Sequence, residues 1–117
     1  MCVNEAPAPC FRKVNQRGQT GPLPLRDPTG RDWIVEAALG TQAARGVCQN
    51  CRILLVEADS SSKADLSAGV ATAVRLGARE IATAFSPVEI TGDTAYAGAY
   101  SHPGEVVTAA TGDFGFA

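Results

Sequence analysis

Apolar residues change their spacing repeatedly along this chain, and each change marks a segment. Residues 1–31 hold most of the prolines, with turn signals at Gly18, Gly21-Pro22, Asp27-Pro28 and Thr29-Gly30, so this stretch reads as an extended Pro/Gly-containing loop region. From Asp32, a residue type that caps helices, Trp33, Ala37, Ala44 and Val47 recur at helical spacing and predict a helix over 33–47. Gly40 is out of place inside it, costing about 1 kcal/mol relative to alanine. Arg52-Ile53-Leu54-Leu55-Val56-Glu57 is a near-continuous apolar run of strand length, the pattern of a strand covered on both faces. Ser62 and Asp65 then form a capping box ahead of Leu66, Val70, Ala73 and Val74, which share one helical face, and Gly77 ends that helix. Strands follow over 80–85 and 105–110. Strand, helix and strand joined by short links predict a right-handed parallel crossover between the 52–57 and 80–85 strands. The fold class is therefore α/β, a parallel sheet with flanking helices, with an α/β domain over 32–117 after the loop region.

Composition narrows the function classes. A chain of 117 residues has the length of one small domain, and 45% hydrophobic residues with a net charge of −2 describe an ordinary globular protein. Basic residues are scattered among acids, with Arg12-Lys13 the one adjacent pair, so there is no footprint for nucleic acid. The longest strongly apolar run, Ile53 to Val56, is far too short to cross a bilayer, which leaves no membrane partner.

Four cysteines add a constraint. Cys2 and Cys10 bracket a seven-residue loop, and Cys48 and Cys51 form a Cys-x-x-Cys pair. Two sequence-local disulfides suit an oxidising compartment, and hence secretion. A four-cysteine zinc site fits less well, because Cys2-x7-Cys10 is a poor match to ligand spacing, and no metal is expected. A thioredoxin-like role also fits poorly, since Cys48-Gln49-Asn50-Cys51 precedes a strand instead of opening a helix. Met1 is followed at once by Cys2 and polar residues, with no signal peptide, which leads to the expectation that the true N-terminus is missing.

Functional groups of parallel sheets gather beyond the carboxyl ends of the strands. The segments there are Glu57-Ala58-Asp59-Ser60, Ser86-Pro87-Val88-Glu89 and Thr111-Gly112-Asp113-Phe114-Gly115. By position alone Asp113 reads first as a carboxylate bonding turn amides. Asp113-Phe114-Gly115 spells a kinase signature, but no phosphate loop, strand lysine or catalytic-loop motif accompanies it. His102, the one histidine, precedes Pro103-Gly104 and reads as a turn residue, with no Gly-x-Ser-x-Gly elbow to complete a triad. Glu36 lies four residues before Gly40, on the same helical face, and by spacing alone reads as a solvated charge.

Read together, these features resemble the sedolisin family, serine-carboxyl endopeptidases on a subtilisin-like α/β fold. The resemblance lies in Cys10-Phe11-Arg12-Lys13-Val14-Asn15-Gln16, in Trp33 through Leu39, in Val47-Cys48-Gln49-Asn50-Cys51-Arg52 through Ala58, in the helix with Ala64-Asp65-Leu66 and Thr72-Ala73-Val74, and in Asp93 to Asp113 through His102-Pro103-Gly104. The cysteine-bearing segments look like a bacterial secreted subgroup. The resemblance implies that Glu36 is the general base that activates a serine and that Asp113 belongs to the oxyanion hole. Such chemistry suits low pH, where a histidine base is already protonated and an oxyanion-hole aspartate must carry a proton to donate. Peptide or protein substrates are the implied partners.

The sequence departs from that pattern at Gly40, which matches the family's supporting aspartate, and Gln42 stands where related sequences often carry another acid. Pro87 removes an amide donor, and Ser86 adds bulk, where the family pairs with substrate. The resemblance places the nucleophilic serine and the calcium site in the second half of the domain, so no cofactor is expected in this chain. The expectation is a partial subtilisin-like domain, a truncated or degenerate peptidase inactive by itself. The alternatives are a non-catalytic secreted peptide-binding module and one half of an enzyme completed by a second chain that supplies the missing half of the domain.

Overall fold

A computed structural model of the chain describes residues 9–25, 33–85 and 91–111. Strand β1 (Phe11–Asn15) leads to helix α1 (Trp33–Val47), strand β2 (Ile53–Glu57), helix α2 (Lys63–Arg75), strand β3 (Glu80–Thr83), a 3-10 helix (Asp93–Tyr100) and strand β4 (Val106–Ala109). The α/β class holds, and both strand pairings are parallel. The sheet itself differs from expectation. β1 pairs with β2, Phe11 opposite Ile53 and Asn15 opposite Glu57, while β3 pairs with β4, Glu80 opposite Val106. These are two separate two-stranded sheets, so β2 and β3, joined through α2, are not bonded neighbours.

One edge of β2 is taken by a strand from the stretch read as loop. Phe11-Arg12-Lys13-Val14-Asn15 carries only two apolar side chains, and it is held by backbone pairing that begins with the Ile53 amide donating to the Cys10 carbonyl at 2.7 Å. A Lys13–Glu57 ion pair at 3.3 Å ties the two strands at the surface. Val14 and Asn15 are fully buried. Asn15 meets the cost of its burial by accepting the amides of Arg17 and Gln19 at 3.0 Å each and donating to the Pro22 carbonyl at 2.9 Å. That fixes the chain as it leaves β1.

Helix α2 organises the core. Its start follows the capping pattern in part: the Ser62 hydroxyl accepts the Asp65 amide at 3.1 Å. Asp65 does not reach back to the Ser62 amide as a full capping box requires, because that amide donates to the Ser60 hydroxyl at 3.1 Å. At the other end Gly77, at φ +89°, lets its own amide bond the Val74 carbonyl (2.9 Å) and the Ala78 amide the Ala73 carbonyl (3.0 Å), a Schellman closure. Val70 and Ala73 are buried against Ile81 of β3, with Val56, Val74, Ala78, Tyr100 and Val107 packed around them. One helix thus covers residues of both sheets.

Helix α1 has the predicted bounds but not a core role. None of its residues is buried, and Ile34, Val35, Leu39 and Val47 are exposed. Its proposed cap, Asp32, lies outside the described residues. β2, expected to be covered on both faces, is half-buried along its whole length. Among the described residues no helix is long and apolar enough to cross a membrane.

Candidate functional site

Glu36 sits in the first turn of α1 and is exposed. Four residues on, Gly40 is also exposed, and a Cβ placed there would have no atom within 4 Å. The backbone around Gly40 therefore leaves room for a larger side chain. The turn after Glu36 carries no carboxylate, and Thr41 instead turns its hydroxyl back onto the Ala37 carbonyl at 2.8 Å. Asp113, Ser86 and Pro87 lie outside the described residues, as does Cys2.

Cys48 and Cys51 are joined in a disulfide with their Cα atoms 5.3 Å apart, linking the end of α1 to the approach to β2. Cys10 is disulfide-bonded as well. No described cysteine is a free thiol. His102 donates from Nε2 to the Ala99 carbonyl at 3.0 Å, a local contact three residues long. Among the described residues no group of His, Cys, Asp or Glu is arranged to hold a metal ion.

The densest polar arrangement lies beyond the carboxyl ends of β1 and β2, where α2 begins. Asp65 accepts hydrogen bonds from the Ser60 hydroxyl (2.5 Å), the Gln16 side-chain amide (2.9 Å) and the Ser62 hydroxyl (3.0 Å). These donors, Ser60 first, then Gln16 and Ser62, hold the Asp65 carboxyl below its ordinary pKa. Gln16 also accepts the Asp59 amide at 2.7 Å, and Arg17 forks onto both Asp59 oxygens at 2.5 and 3.1 Å. The hydrogen bond to Asp59, and then its charge, push the Arg17 pKa up, so this guanidinium stays charged. Arg75 and Thr72 of α2 close the cluster on the Arg17 and Gln16 carbonyls. Each of these side chains is engaged by another, so the cluster locks the β1–α2 junction.

A shallow cavity of about 290 Å³ opens between α2, the 3-10 helix and the carboxyl ends of β3 and β4. Phe85, Tyr96 and Leu66 give it apolar walls, and the Lys63–Asp93 ion pair sits at its rim. Ser67 also lines it, but its hydroxyl is enclosed and has no hydrogen-bond partner. Of the residues around these features, sequence reading singled out Asp59, Ser60, Ser62 and Asp65. It missed Gln16 and Arg17, whose positions depend on β1 being a strand.

Compared with known proteins, the chain matches no family profile, no curated protein and no solved structure.

Proposed function

We propose that this chain is a degenerate, secreted relative of the sedolisin-type serine-carboxyl endopeptidases that does not hydrolyse peptide bonds by itself. The observation that carries this reading is Gly40. In the resemblance it replaces the acid that supports the glutamate base, and around it there is open space where such an acid would project. Among the described residues Glu36 is thereby a water-exposed carboxylate with no acid one turn after it, where the resemblance expects one. The Cys48–Cys51 disulfide supports an oxidising, extracellular setting.

Incubation of the purified chain with an unfolded protein substrate at acidic and neutral pH is expected to give no cleavage. Turnover that disappears in Glu36→Ala would overturn the proposal. A second reading, half of an enzyme completed by another chain, is favoured by the exposure of Ile34, Val35 and Leu39 on the helix that carries Glu36. It predicts that turnover appears only when a serine-bearing partner is added.

A further inference from the structure

Among the described residues, one edge of β2 and one edge of β3 have no strand partner. In β2, the Ile53 amide bonds the Cys10 carbonyl, so by the alternation of a strand the groups of Ile53, Leu55 and Glu57 face β1 and those of Leu54 and Val56 face away. In β3, the carbonyls of Arg79 and Thr83 accept the amides of Val106 and Ala110, so Glu80 and Ala82 direct their backbone groups away from β4. No described strand pairs with either edge.

Residues of both strands pack in the cluster beneath α2. A helical crossover joins strands that run in the same direction, and here α2 is that crossover. The cluster beneath α2 contains Val56 of β2 and Ile81 of β3, whereas the fully buried Val14 of β1 is not part of it. β2 is therefore the strand of its pair nearer to β3, and its free edge lies on the β3 side. Two half-sheets that share one covering helix but do not bond each other need stand only one strand's width further apart than bonded neighbours for an opening to lie between their edges.

We infer that this opening is a strand-addition site: an extended segment of another polypeptide enters between β2 and β3 and pairs with Leu54 and Val56 on one side and with Glu80 and Ala82 on the other. The main chain supplies the bonding, so sequence demands on the segment are loose. The demands are alternating apolar or β-branched residues to lie under α2, and no proline where an amide must donate. The inference rests on strand pairing alone and stands whether or not the chain descends from a peptidase.

The test uses the full chain, labelled for amide-resolved NMR, and a capped peptide of alternating valine and threonine with a lysine at each end. Binding is expected to slow hydrogen exchange of the Leu54, Val56, Glu80 and Ala82 amides at least about tenfold, with the Ile53 and Ile81 amides little changed. The same peptide with prolines at alternate positions is expected not to bind. Ala82→Pro removes one edge donor while sparing the Ile81 and Thr83 contacts with β4, and is expected to weaken binding at least about tenfold; its spectrum establishes that it folds. Protection that appears instead on the outer edges of β1 or β4, equal binding of the proline peptide, or protection of the same four amides by self-association without peptide would each overturn the inference.

Discussion

Gly40 occupies the interior of a fifteen-residue helix, and nothing packs where its side chain would be. Glycine there carries an entropic cost with no close contact to offset it, so Gly40→Ala is expected to stabilise the chain by about 1 kcal/mol. Amide exchange across α1 slowed about fivefold would register that gain, and unchanged exchange there would count against it. Asp65 is the residue with the clearest dependence on pH. Its carboxyl is held below the ordinary range by Ser60, Gln16 and Ser62, so its contribution is present above the unfolded value near pH 3.9 and is lost as pH falls through the lower folded value. Asp65→Asn is therefore expected to lower stability at pH 7 and to flatten the acid limb of a stability–pH curve, as measured by urea melts between pH 2 and 7. An acid limb of the same slope in the variant would assign that limb to other carboxylates.

At the scale of elements, α2 shows how local signals become structure. Ser62 caps its start and Gly77 closes its end, and both roles are written in residue types three to four positions from the turns they serve. Ser62→Ala leaves the Asp65 amide without its acceptor and removes one donor from the Asp65 carboxylate, for an expected loss of about 1–2 kcal/mol in chemical denaturation. Ser62→Asp, which can still accept that amide, is expected to recover part of the loss. The same locality explains what could be read in advance. The bounds of α1, the strand character of 53–57 and 80–83 and the placement of β4 all follow from periodicity within a few residues. β1 was illegible, because Arg12 and Lys13 interrupt its apolar pattern and its pairing is settled by a partner some forty residues away. That one omission propagated. With β1 read as loop, the Gln16 and Arg17 contacts with Asp59 and Asp65 have no frame on which to be placed. For the catalytic reading, the legible part was Glu36 on its helix and Gly40 one turn on, while Asp113 lies outside the described residues.

For the whole molecule, the decisive quantity is how little is buried. Among the described residues the hydrophobic core comprises Cys10, Val14, Val70, Ala73 and Ile81, whereas Ile34, Val35, Leu39, Val47 and Val106 remain exposed. Folding free energy is a small difference between apolar burial and chain entropy, and a domain of this size has little margin before entropy prevails. The arrangement also distributes that margin unevenly. α2 shares the central cluster with β2, β3 and β4, while α1 contributes no buried residue. The two parts should therefore lose structure at different points. Thermal or urea melts followed by far-ultraviolet dichroism are expected to be broad, and amides of α1 are expected to exchange faster than those of α2 at neutral pH. Exposed apolar residues on α1 should also make the isolated chain self-associate as concentration rises, visible as a growing sedimentation coefficient. A sharp transition common to all probes, in a chain that stays monomeric at high concentration, would show that α1 and both sheets form one cooperative unit and that these surfaces are stable when uncovered.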